Sequence, residues 1–160
     1  MIVVTVGTQL PFDRLIKAVD DLAVKIPHKV FAQTGKGTYQ PRNIEYSATV
    51  VAGEFDRMLS ECRVIVAHAG IGTVIKALKY KKPIILVPRR AALNEHRNDH
   101  QMATVSKLRH RAGIYVAEDE DELFGLLTTD LEAASPETFT TPGRHKLQAF
   151  ILDEIHKSVV

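Results

Sequence analysis

Short apolar runs rich in β-branched residues recur along this chain, and longer stretches with helical periodicity separate them. Residues 2–6, 29–33, 63–67, 83–87 and 114–116 read as strands, and 49–52 as a further short one. Several of these runs are apolar throughout and do not alternate. A strand with that pattern must be covered on both faces, which is the condition inside a parallel sheet. The intervening segments supply the cover. Residues 13–26 carry Leu15, Ile16, Val19, Leu22 and Ile26 on one helical stripe. Helices are also expected at 54–60, at 72–80, from a start between Asn94 and Asn98 to a stop before Gly113, and at 120–127. Strand–helix alternation with right-handed crossovers predicts an α/β domain with a Rossmann-like, doubly wound parallel sheet.

At 160 residues, 45% of them hydrophobic, the chain is long enough for one domain with a sizeable core. The formal net charge of +2 is too small to point to nucleic acid, which calls for a concentrated basic face. Basic clusters at 79–82, 89–90 and 109–111 read as solvated helix ends. The acidic run 119–122 reads as the first turn of a helix, favoured by its dipole. The single cysteine, Cys62, precedes an apolar strand and reads as a buried small hydrophobe in a reducing compartment. No segment approaches the roughly 18 apolar residues of a membrane span. Residues 1–6 lack a basic lead-in and run into Gly7, so they read as a strand and not as a signal peptide. The expected location is cytoplasmic, with membrane contact only through a partner or an amphipathic surface. Residues 128–143, rich in Thr, Ser and Pro, read as a linker. A final helix at 144–160 carries Leu147, Phe150, Ile151, Leu152 and Ile155, and either packs back on the domain or reaches a partner.

Ligands of parallel α/β sheets bind at the carboxyl ends of the strands, so three loops matter most. The first, Gly7-Thr8-Gln9-Leu10-Pro11-Phe12-Asp13, offers a glycine for close approach, a hydroxyl and an amide. It is either a ligand loop or a tight strand–helix turn. The second, His68-Ala69-Gly70-Ile71-Gly72-Thr73, places two glycines and a threonine at a helix start, an anion cradle with hydroxyl support. It lacks the third glycine and the acidic residue of the dinucleotide fingerprint, and it lacks the Gly-Lys-Ser/Thr ending of a P-loop. His68 is either a ligand contact or a hydrogen-bonded strand-end histidine. The third loop, residues 88–101, concentrates imidazoles, carboxylates and amides that suit sugar hydroxyls. In it Arg89 and Arg90 either neutralise phosphate or form an exposed basic turn. His96 and His100 would share a helix face, but the His-Glu-x-x-His order is absent, and no metal site is expected.

Taken in order, these motifs resemble the C-terminal domain of glycosyltransferase family 28. They are Val4-Thr5-Val6-Gly7-Thr8-Gln9 with Pro11-Phe12-Asp13-Arg14-Leu15, Gln33-Thr34-Gly35, the His68–Thr73 loop, Val87-Pro88-Arg89, and Glu95-His96-Arg97-Asn98-Asp99-His100-Gln101. The resemblance covers roughly residues 1–127 and is similar to the soluble donor-binding subunits of split glycosyltransferases in dolichol-linked and bacterial exopolysaccharide synthesis. It implies a GT-B half-domain that binds a UDP-sugar, with no other cofactor and no metal. It places Gly7, Thr8 and Gln9 near the pyrophosphate and Phe55 near the uracil. Gly70, Ile71, Gly72 and Thr73 fall around phosphate and sugar. His100, Gln101 and Glu95 fall at the sugar hydroxyls, with His68 and Arg89 as further donor contacts.

In one position the chain departs from the family pattern. Lys76 stands where an acidic residue usually holds the ribose hydroxyls, and an ammonium accepts no hydrogen bond. The implied activity is inverting transfer from a UDP-sugar to a lipid-linked acceptor. The general base is expected on a membrane-associated, acceptor-binding partner subunit. The rivals are a non-catalytic accessory subunit that activates or recruits a partner transferase, and a different Rossmann-type nucleotide domain.

Overall fold

The computed structural model describes residues 1–134, 136, 149–150 and 153. Six strands form one sheet: β1 (Ile2–Thr5), β2 (Val30–Gln33), β3 (Glu45–Ser47), β4 (Val64–His68), β5 (Ile84–Val87) and β6 (Ile114–Val116). All pairings are parallel, in the order β3-β2-β1-β4-β5-β6. Four helices lie between strands, α1 (Asp13–Ala23), α2 (Ala52–Glu61), α3 (Ile71–Tyr80) and α4 (His100–Leu108), and α5 (Glu120–Leu127) follows β6.

The apolar runs explain the two-sided burial. β1 and β5 are buried at every residue. Alternate residues enter opposite cores because side chains alternate across a strand. Ile2, Val4, Val66, Ile85 and Val87 meet Leu15, Ile16, Val19 and Leu123, so α1 and α5 cover one face. Val3, Ile65, Ala67, Ile84 and Leu86 meet Leu59, Val74, Ala77, Val105 and Leu108, so α2, α3 and α4 cover the other. The doubly wound sheet expected from the sequence is therefore present. Its direction of winding reverses between β1 and β4, whose following helices lie on opposite faces.

Three local expectations are corrected. The strand expected at 49–52 lies at Glu45–Ser47, while Val51 is the exposed residue preceding α2. β3 is an edge strand without a buried residue, so it needs no apolar run and leaves no such signal. The helix expected to start by Asn98 starts at His100. A 3₁₀ turn at Ala91–Leu93, ended by Asn94 in the left-handed region at φ 55°, takes up the chain first. His96 is consequently outside the helix, and the shared His96–His100 face does not form.

The acidic run behaves as expected. Asp119 caps α5 by accepting from the Glu122 amide at 2.8 Å, and the Glu122 carboxylate reaches back to the Glu118 amide at 2.8 Å. Cys62 is buried, and burial pushes its thiol up to about 11. At the expected linker, Ala134 is fully buried against Gly113 and its amide donates to the Lys82 carbonyl at 3.3 Å. Of the expected final helix, Ala149, Phe150 and Asp153 are helical, and the rest lies outside the described residues. Phe150 packs against the second core, with the Lys107 ammonium 4.1 Å from its ring centre. Among the described residues no helix is long and apolar enough to cross a membrane.

Candidate functional site

The loops after β1 and β4 meet at the winding reversal, where an open α/β sheet leaves a crevice at its carboxyl edge. Three side-chain-free positions set its shape. Gly7 has φ +75°, and a Cβ there would lie 3.0 Å from His68 Cε1. A Cβ on Gly70 would run into His68 Nε2. The imidazole thus occupies a slot between two glycines, one from each loop. Gly72 differs from both, because it is exposed and no atom lies within 4 Å of where its Cβ would stand.

Gly72 sits in the first turn of α3, whose N-cap is Gly70 and carries no side-chain cap. The amides of that turn therefore have no side chain closing them off, the arrangement that receives anions. Thr73 is half-buried in the same turn, while Ile71 belongs to the core. Across the reversal, Thr8 and Gln9 are exposed on the first loop.

His68 is neutral at physiological pH. Burial, then the nearby Arg89 guanidinium, lower its pKa from 6.5 to about 4, with the Thr5 backbone acting in the opposite sense. Its Nδ1 is buried without a hydrogen-bond partner among the described residues. The imidazole brings hydrogen-bonding capacity to the crevice without a charge.

Arg89 is 4% exposed, so of its two sequence readings the exposed basic turn is ruled out. Its Nη2 donates to the carbonyls of Val6 at 2.8 Å and Leu10 at 2.7 Å, and its guanidinium lies 5.1 Å from the Phe12 ring centre. It pins the first loop from beneath. Gln101 is also buried, and its Oε1 accepts from the Arg89 amide at 2.9 Å. Glu95 accepts from Arg14 Nε at 2.7 Å, from Arg14 Nη2 at 2.9 Å and from the Arg90 amide at 2.9 Å. Arg14 also donates to the Pro88 carbonyl at 3.0 Å. The residues of the third loop thus knit the frame of the site: Arg89, Gln101 and Glu95 all point into protein contacts. His100 opens α4, with its amide on Asn98 Oδ1 at 2.9 Å.

Phe55 lies on α2, with the Lys76 ammonium 5.2 Å from its ring centre. Lys76 also donates to Asp56 Oδ1 at 2.7 Å, and this holds the Asp56 carboxyl below its usual range. A carboxylate is therefore present beside position 76, supplied by the neighbouring helix.

Several residues given no ligand-binding role from the sequence also shape the site. Thr5 Oγ1 donates to Gln33 Oε1 at 2.7 Å, and Gln33 Nε2 donates to the Gly7 and Ala48 carbonyls at 3.1 and 3.0 Å. Asp20, 1% exposed, accepts from Tyr39 Oη, the Arg42 amide and the Asn43 amide, which anchors the connection between β2 and β3. These partners are 15 to 28 residues apart in the chain, and only the fold brings them together.

A parallel sheet of this order with a glycine-walled crevice at its reversal defines the Rossmann-like class of ligand-binding α/β domains. The chain belongs to the glycosyltransferase family 28 C-terminal domain family, whose model matches residues 1–157. Solved structures with the same fold include spinosyn forosaminyltransferase SpnP, at 19% identity and TM-score 0.55, over 98% of this chain and 39% of that one. The glycotransferase of kitacinnamycin matches at 15% identity and TM-score 0.61, over 98% and 39%. The glycosyltransferase SnogD from Streptomyces nogalater matches at 19% identity and TM-score 0.54, over 79% and 34%. A comparison with curated protein sequences finds no match. The architecture is that of the C-terminal half of a GT-B glycosyltransferase, and the chain spans about two fifths or less of the structures it matches.

Proposed function

We propose that this chain is the donor-binding subunit of a two-component, inverting glycosyltransferase that moves a sugar from a UDP-sugar to a lipid-linked acceptor. The observation that carries the reading is the open notch at the start of α3. Gly72 leaves space there, next to uncapped helix amides. A diphosphate seated in it would receive backbone hydrogen bonds and the favourable end of the helix dipole. These groups stabilise the charge that develops as the bond between the anomeric carbon and the phosphate oxygen breaks. Neutral His68 adds a hydrogen bond at the same place. Thr8, Gln9 and Thr73 supply further polar contacts, and His100 serves the sugar hydroxyls. Arg89, Gln101 and Glu95 act by holding the loops in register.

The acceptor hydroxyl must lose a proton to a general base as it attacks. In this reading the base belongs to a membrane-associated partner that also carries the acceptor, and the complex works at the cytoplasmic face. Residues 1–127 form the donor unit in this reading. Ribose hydroxyls would find their acceptor in Asp56 instead of at position 76. A second reading, a non-catalytic subunit that activates or recruits a transferase, draws on Lys76, whose ammonium covers that carboxylate.

Calorimetric titration with UDP and UDP-sugars, with and without the partner, separates the two readings. Donor binding predicts a Kd at or below about 1 mM, worth about 4 kcal/mol. It also predicts loss of binding and transfer in Gly72→Val with an unchanged melting temperature. No heat with UDP at that concentration, partner present, refutes donor binding.

A further inference from the structure

The Gln33-Thr34-Gly35 motif has no role in the site as described so far, yet it abuts the crevice. Thr34 to Gly37 form a β-turn closed by the Gly37 amide on the Thr34 carbonyl at 3.2 Å. Gly35 has φ +59°, a value that turns of this kind assign to glycine, and a Cβ on it would lie 2.6 Å from the Gly7 carbonyl oxygen. The turn therefore packs directly on the first loop, one strand over from the winding reversal. It is also fastened. The Gly35 amide donates to the Ala48 carbonyl at 3.0 Å. The Thr38 amide and hydroxyl donate to Asp13 Oδ2 at 3.1 and 3.0 Å, and Gly37 packs against the same carboxylate.

At the tip of this fixed turn stands Lys36, exposed and without a hydrogen bond or ion pair among the described residues. Four other cations near the crevice are engaged, while Arg97, on the loop before α4, is exposed. Arg89 holds two loop carbonyls, Arg14 holds Glu95, Arg90 Nη2 holds the Glu118 carbonyl at 2.9 Å, and Lys76 holds Asp56. A nucleoside diphosphate brings several negative charges to a crevice whose walls offer amides and a neutral imidazole. A lysine on a rigid support, with a flexible four-carbon stem, can place a point charge on such a ligand without rearranging the fold.

We infer that Lys36 is a phosphate-recognising residue of this site, its ammonium closing on a phosphate oxygen of the bound substrate. The inference rests on the donor reading and names a residue for it. Two substrates could present the phosphate: the nucleotide donor, or an acceptor carried on a lipid phosphate.

The test compares Lys36→Gln and Lys36→Arg, using UDP binding by calorimetry and steady-state transfer by the reconstituted complex. The acceptor probe is a sugar on a short prenyl diphosphate. If the donor phosphate is the partner, Lys36→Gln weakens UDP binding about tenfold or more, and Lys36→Arg restores most of it. If the acceptor phosphate is the partner, UDP binding stays level while the acceptor KM rises about tenfold with kcat held. Arg97→Gln is the control, since Arg97 is an exposed cation on the loop before α4. The inference is overturned if neither quantity moves in Lys36→Gln, or if Arg97→Gln loses as much, which would mark a diffuse field. Absence of UDP binding to the wild-type complex removes the donor reading and this inference together. UDP binding that ignores Lys36, with an unchanged acceptor KM, removes only this one.

Discussion

His68 makes the fold sensitive to mild acid, by an amount that can be worked out beforehand. In the native protein the imidazole sits in a glycine slot beside Arg89 and takes up a proton only near pH 4. In the unfolded chain it does so near 6.5. Above pH 6.5 both states are neutral there, and His68 adds no pH dependence. As pH falls from 6.5 towards 4 the unfolded state binds a proton that the native state refuses, so stability drops; below about 4 the loss levels off. A pH of about 4.5 lies about two units below the unfolded value, so the accumulated loss there is about 2.7 kcal/mol at 1.36 kcal/mol per unit. Asp20, the buried carboxylate whose own pKa is lowered, is common to wild type and a His68 variant, so its contribution cancels when the two are compared.

Urea denaturation at about pH 7.5 and 4.5, on wild type and His68→Gln, isolates the effect. Wild type should lose about 2–3 kcal/mol more than the variant over that interval. Histidine resonances in NMR give the midpoint directly, and bound UDP should raise it, since an adjacent anion favours the imidazolium. Equal losses in the two proteins, or a midpoint near 6.5, would show that the imidazole is not desolvated in the slot.

Two other substitutions test the frame of the site. Gly70→Ala drives a methyl group into the same imidazole, and should lower stability by about 1–3 kcal/mol in urea unfolding; a variant as stable as wild type would contradict the slot. Arg89→Met leaves the Val6 and Leu10 carbonyls without their donor, at a cost of about 2–4 kcal/mol. Amide exchange at residues 8–10 should accelerate more than exchange in β5, and uniform change would argue that Arg89 does not pin the loop.

The residues legible as site elements from sequence alone were those whose role is local. Gly7 follows the first strand run directly, where the backbone must turn, and Gly72 stands in the first turn of α3, where the backbone must stay open to approach; a glycine reports either need at its own position. The third loop was harder to read. Its arginine, glutamate and glutamine had the chemistry of ligand contacts, but Arg89, Glu95 and Gln101 turn inward to carbonyls and amides that lie up to 83 residues away in the chain. Polar composition describes what a side chain can bind, and the fold decides which partner reaches it first.

The same division applies to the architecture. Unbroken apolar runs in β1, β4 and β5 demand cover on two faces, and that requirement, with right-handed crossovers, leaves a doubly wound parallel sheet as the solution. That much was present in the order of residues. The position of β3, the late start of α4, the neutral state of His68 and the exposure of Lys36 depend on contacts between distant segments. An edge strand needs no apolar run, and a charged group's proton affinity follows from its surroundings, so neither is written in the local pattern that the chain displays.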